Sequence, residues 1–226
     1  MAVHNSNTIR LYNAGVLKTA DAKLEEVHQK GSSGVVAWIA RRYTRQGLWS
    51  LFLMCALPLH AWTLILAFRD ISWLTDRTNA WDAIGVTSYG LMFAFVESLA
   101  FFVVVVLLGY LVPGRWEVGR RVALMAVLAL IASIWAMLEQ LFFLVDTGFP
   151  GAFIGFLVRS GHPARVFYAL LLAVVGLSVF VPAMLVMRSE RAYQAVRGLI
   201  DRLSVLTMFY LVLDVIGVVI VIIRNV

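Results

Sequence analysis

Four ionisable side chains, His60, Glu97, Glu139 and Asp214, stand in stretches that are otherwise continuously apolar, and Gln140 adds an amide beside the third. At the centre of a bilayer each ionisable group costs on the order of 3 kcal/mol, so its presence calls for a partner or a purpose. Three chemistries are open to such a set: hydrogen bonding between helices or to another protein, passage of a proton or ion, and recognition of a small molecule or lipid headgroup. A protonated carboxyl donates hydrogen bonds, whereas an ionised one needs a cation. No Lys or Arg lies inside the apolar stretches, which leaves His60 as the basic candidate.

Depth can be reckoned at about 1.5 Å per helical residue from the basic end of each stretch. Asp214 then lies near ~15 Å, His60 near ~20 Å, Glu97 near ~22 Å and Glu139 near ~26 Å. The four share a band of roughly 11 Å, less than half of a hydrocarbon core. Small residues run toward the two glutamates: Gly90, Ala94 and Ser98 beside Glu97, and Ala129, Ser133 and Ala136 toward Gln140. Such stripes let helix backbones approach closely in lipid. They are expected to pack the second and third apolar stretches against each other as a hairpin. Pro58 and Pro182 deprive the carbonyls of Met54 and Ser178 of their helical partners, and a kink is expected at each.

Other constellations are weaker. Arg159, His162 and Arg165 share one loop with Asp146 and could hold an anion, although an ordinary solvated loop explains them as well. There is no HExxH, no CxxC and no Gly-rich phosphate loop, and no G-x-S-x-G. Only His60 among the histidines is on an apolar stretch, so a bis-histidine haem has one ligand too few. The single cysteine, Cys55, permits no intrachain disulfide. No metal and no cofactor are expected.

The elements that must position these residues follow from composition. Of 226 residues 62% are hydrophobic and 14% charged, and the mean hydropathy is +0.87. Soluble domains are about 25% charged and 45–50% apolar. Five stretches, about 47–68, 84–112, 122–145, 166–187 and 204–223, are long enough to span the core as helices, which takes about 20 residues. Strands are unsuited, because the runs do not alternate and exceed barrel-strand length. The reading is an all-α integral membrane protein: a bundle of about five transmembrane helices with short amphipathic interfacial helices.

Outside the spans, 1–34 reads as a polar cytoplasmic tail with an amphipathic helix over 16–30. Residues 35–46 read as a basic interfacial segment bearing Trp38, and 47–226 as the membrane domain. Residues 192–203 carry an apolar stripe suited to a helix lying along the surface. Residues 149–158 are apolar but too short to cross, and read as re-entrant or interfacial. Trp73 and Trp81 suit interface anchors. Fourteen of the 19 Lys and Arg fall on one side of this topology and five on the other. That bias expects a cytoplasmic N-terminus and an external C-terminus, in a bacterial-type plasma membrane. The net charge of +6 reports orientation, and no aromatic–basic stripe suits nucleic acid.

The expected partners are the lipid bilayer and other membrane subunits, or a second copy of this chain. The function read from the sequence is a non-catalytic membrane subunit or accessory protein whose intramembrane polar residues mediate packing or partner contact. A small proton- or cation-coupled transporter using Glu97 and Glu139 is the alternative, and a membrane enzyme acting on lipid the third.

Overall fold

A computed structural model describes residues 42–70, 76–77, 79–113, 116–145 and 148–226. These residues fold into six helices: α1 (Arg45–Arg69), α2 (Ala80–Leu108), α3 (Val118–Leu144), α4 (Gly151–Arg159), α5 (Pro163–Arg188) and α6 (Glu190–Asn225). Five of them, all but α4, are long and apolar enough to cross a membrane, and no strand occurs among the described residues. Lipid offers no hydrogen-bond partners to the backbone, so segments this apolar satisfy their own amides by coiling. The chain is a multi-pass, all-α integral membrane protein. The tail helix expected over 16–30, the interfacial segment as far as Arg41, Trp73, Arg115 and Asp146 lie outside the described residues.

The helix ends have identifiable causes. Asn79 caps α2, its side-chain oxygen accepting from the Asp82 amide at 2.9 Å, which satisfies an orphan donor of the first turn. Gly161 takes a left-handed conformation (φ 70°) in the turn from α4 to α5, where glycine carries no Cβ penalty. Pro163 then opens α5, in the first turn where its missing N–H costs nothing. Ser189 alone separates α5 from α6. It is extended, and its hydroxyl accepts from the Ala192 amide at 3.3 Å to cap α6.

Two expectations about the elements are corrected. Residues 192–203 do not form a separate surface helix. They are the first turns of α6, which runs unbroken for 36 residues. The reason is a buried stripe, Tyr193, Ile200, Thr207 and Asp214, repeating every seven residues across the polar and apolar halves alike; a continuous face needs a continuous helix. The expected hairpin of the second and third spans is also replaced. α2 and α3 barely touch, whereas α1 packs extensively against α2, α3 and α6.

α1 therefore sits at the centre. Every residue from Leu51 to Pro58 is buried, and the helix continues through Pro58. α5 lies at the other extreme, with Val186 its only buried residue. It is held to α3 by the Trp135 indole, which donates to the Ser178 hydroxyl at 2.9 Å, and it too continues through Pro182. α4 packs against α5 through Phe149, Phe153 and Phe167, whose rings lie 5.5–6.5 Å apart.

Polar clasps hold the ends. At one end Arg120 reaches the carbonyl of Met187 at 3.2 Å and the carboxylate of Glu190, with Tyr193 under its guanidinium at 5.2 Å. At the other, Arg224 pairs with Asp82 at 2.8 Å, donates to the carbonyl of Trp81 and lies over its ring.

Candidate functional site

His60 and Asp214, 154 residues apart in sequence, meet inside the bundle. His60 Nε2 lies 2.8 Å from Asp214 Oδ2, and His60 Nδ1 lies 2.8 Å from the carbonyl oxygen of Ala56 on the same helix. His60 is fully buried, and Asp214 is 6% exposed. Tyr210, one turn before Asp214 on α6, stacks on the imidazole with ring centroids 6.2 Å apart and planes 5° from parallel.

These contacts fix the proton inventory. A carbonyl only accepts, so Nδ1 carries a hydrogen and donates to Ala56. Nε2 then faces Oδ2 either as the donor of an imidazolium to a carboxylate, or as the lone pair of a neutral imidazole accepting from a carboxylic acid. A carboxylate facing that lone pair would bring two acceptors together and leave no bond. In both permitted forms one proton lies between the residues, and the pair is neutral overall. The other carboxyl oxygen, Oδ1, is buried without a hydrogen-bond partner.

Asp214 forms one wall of a groove of about 1440 Å³ between α1, α2 and α6. Trp49 and Phe52 of α1, Phe95 and Phe102 of α2 and Val215 of α6 line it, with Arg45 and Gln46 at one end. The rings interlock: Phe52 makes edge contacts with Phe95 and Phe102 at 6.3 and 5.8 Å.

The two glutamates are placed otherwise. Glu97, Glu139 and Gln140 are all exposed on the surface of the bundle. The Cβ position of Gly90 lies 3.3 Å from Thr63 of α1, which sets the register of α2 on α1. Counting from that pair puts Glu97 about 6 Å from the level of His60, but on the far side of α2 from the groove. The small-residue stripes are corrected in the same way. Ala94 and Ser98 are buried and Gly90 half-buried, and Gly90 faces α1, not α3. Ala129 is buried, Ser133 half-buried and Ala136 exposed, so the stripe on α3 is covered at one end and open toward Gln140. The hydroxyls of Ser98 and Ser133 donate to the carbonyls of Ala94 and Ala129 on their own helices, at 2.6 and 2.9 Å.

Arg159, His162 and Arg165 are exposed at the junction of α4 and α5. Arg121 is a residue that sequence reasoning undervalued. It lies in the first turn of α3, is 1% exposed and donates to the carbonyl of Trp116 at 3.2 Å. The Arg120–Arg121 pair gave no signal of this: adjacent helical residues point about 100° apart, so both can face outward.

The fold defines a five-span helical membrane protein with a buried His–Asp pair beside an apolar groove. The chain matches no protein-family profile, no curated protein and no solved structure.

Proposed function

We propose that this protein is a non-catalytic membrane subunit, whose exposed Glu97 and Glu139–Gln140 meet helices of a partner subunit or of a second copy. The observation carrying this reading is their placement: carboxyls exposed on outward faces of apolar spans α2 and α3. Facing lipid tails, a carboxyl costs up to about 3 kcal/mol at the bilayer centre and less toward the interface, which Glu139 approaches. A helix bringing a hydrogen-bond acceptor or donor to each removes most of that penalty, which makes association favourable without any hydrophobic drive between apolar helices. The open half of the Ala129–Ser133–Ala136 stripe offers a close approach beside Gln140. In this reading the N-terminus is cytoplasmic and the C-terminus external, in a bacterial-type plasma membrane.

The test is gentle extraction from native membranes followed by native mass spectrometry, with Glu97→Leu and Glu139→Leu alongside. An assembly larger than one chain is expected from the wild type, and dissociation to single chains from the variants. A wild type recovered only as a single chain would overturn the reading.

The His60–Asp214 pair gives some support to a second reading, a proton-coupled transporter. Its carrier would be that pair, since Glu97 and Glu139 lie on separate surfaces of the bundle. Proton flux in liposomes lost in Asp214→Asn would favour it; unchanged flux would remove it.

A further inference from the structure

We infer that the turn between α4 and α5 binds the headgroup of an anionic phospholipid, its phosphate held by Arg159, His162 and Arg165 and its acyl chains lying along Phe156 and Tyr168. This site is on other helices than the outward glutamates and does not depend on the subunit reading.

The end of the bundle where α1, α3 and α6 finish is the one with few cations, five Lys and Arg against fourteen. There Arg69 pairs with Asp70 at 3.0 Å and Arg224 with Asp82 at 2.8 Å. Arg159 and Arg165 differ. From residue 147 to residue 189 the sequence holds no Asp or Glu, and neither arginine makes an ion pair among the described residues. His162 stands between them, and all three are exposed. No side chain caps α5, so the first amides of that helix also face the turn, as at any helix N-terminus that takes an anion. The turn is shaped by Gly161 at φ 70° and by Ser160, whose hydroxyl donates to the Leu157 carbonyl at 2.6 Å and accepts from the His162 amide at 3.3 Å.

The surroundings favour a lipid over a dissolved anion. α4 has no buried residue and is too short to cross. The ring of Phe149, just ahead of it, lies 5.0 Å from that of Phe142 of α3 and 5.5 Å from that of Phe167 of α5. α4 therefore begins below the ends of both spans and climbs to the turn, while α5 descends from the turn into the bilayer. Phe156 is three residues before Arg159 and Tyr168 three after Arg165. That spacing sets each ring on the face of its arginine and, on these two helices, on the membrane side of it. The rings are 54% and 67% exposed. Each cation thus has an uncovered aromatic one turn deeper, at the boundary such rings favour, which matches the order of phosphate and acyl chain in a phospholipid. A dissolved anion would leave both rings unmatched. Net charge selects among lipids. With no carboxylate on α4 or α5, the quaternary ammonium of phosphatidylcholine would face two arginines, whereas phosphatidylglycerol brings its negative charge alone.

The experiment uses the full chain in neutral detergent micelles, with an environment-sensitive fluorophore at Gly155→Cys. That position is one turn before Arg159, and a side chain added there meets open space; the native Cys55 is buried and escapes the label. Dioleoylphosphatidylglycerol is expected to give a saturable fluorescence change. Dioleoylphosphatidylcholine is expected to bind about tenfold more weakly, since each arginine near an anionic headgroup contributes several-fold. Arg159→Gln combined with Arg165→Gln is expected to bring the phosphatidylglycerol response down to that of phosphatidylcholine. Both side chains are exposed, so the melting temperature is expected to stay unchanged. Arg191→Gln combined with Arg197→Gln, at the opposite end of the bundle, removes the same charge and is expected to leave the response intact. Equal affinity for the two lipids would overturn the proposal. So would an equal loss in the two double variants, which would assign the preference to net charge. Displacement of the lipid by millimolar inorganic phosphate would overturn it too, the turn then being a site for a dissolved anion.

Discussion

Replacing His60 and Asp214 singly and together tests whether the buried pair holds the bundle as its geometry implies. His60→Leu removes the one hydrogen-bond partner of Oδ2 and leaves both carboxyl oxygens buried and unmet. Breaking a buried pair from one side costs about 3–5 kcal/mol in soluble proteins. Asp214→Leu leaves Nε2 as the orphan, at about 1–3 kcal/mol. The double variant leaves no orphan, and the added volume at position 214 has the groove to expand into. Apolar replacement of both partners is close to neutral.

The expected coupling is therefore large, but membranes reduce it. Interhelical hydrogen bonds there average about 0.6 kcal/mol with a maximum near 1.7, because the unfolded chain also finds partners in lipid. His60 is shielded on all sides and its bond is shared with a carboxyl, which places it at or above the top of that range. We expect a coupling of about 2 kcal/mol. The measurement is equilibrium unfolding in mixed micelles, followed by far-UV circular dichroism, for wild type, both singles and the double. Asp214→Asn serves as a control: its amide N–H can donate to the Nε2 lone pair, so a loss below about 1 kcal/mol is expected. If the single losses add to the double within about 0.5 kcal/mol, the two residues are energetically independent, and the claim that they share a proton-bearing bond fails.

Two further outcomes probe the packing around the pair. A Cβ at Gly217 would sit 3.4 Å from the Ser88 carbonyl of α2; Gly217→Ala should be tolerated, while Gly217→Val should cost about 1–3 kcal/mol by overpacking, read in the same unfolding assay. Arg224→Ala removes the clasp on Asp82 and Trp81. The Arg224 and Asp82 side chains are partly exposed, at 23% and 41%, so solvent screening limits the loss to about 1 kcal/mol, with Trp81 fluorescence becoming easier to quench by iodide.

How much of this was legible beforehand divides along a physical line. The positions of the five spans follow from length and apolarity, because the bilayer acts on each segment separately. Boundaries differ by a few residues where local chemistry intervenes: α2 begins at Ala80, ahead of the apolar run, because Asn79 supplies a cap. Depth was legible too, since rise per residue is fixed, and His60 and Asp214, reckoned within about 5 Å of each other, are bonded. Azimuth was not. Glu97 shares their approximate height and points elsewhere, because the direction a residue faces depends on which helices surround its own. The seven-residue stripe from Tyr193 to Asp214 held that information for α6; it was masked by the change from polar to apolar residues near Ser204.

The arrangement of the helices follows from treating lipid as the solvent. Between apolar helices in a bilayer there is no hydrophobic drive, so the span with most to gain from protein neighbours takes the centre. α1 has the lowest mean hydropathy of the five and half of its apolar window is buried, whereas α5, far more apolar, has only 6% of its window buried. Lipid serves α5 well enough; it does not serve His60 or the carbonyl freed by Pro58, and the chain folds around them. α2 is the exception within this order. It is as hydropathic as any span, yet it carries the exposed carboxyl of Glu97. Nothing inside the bundle accounts for that carboxyl, and lipid tails do not welcome it. A second molecule that brings a hydrogen-bond partner would meet that cost, and this is the physical basis of the subunit proposal.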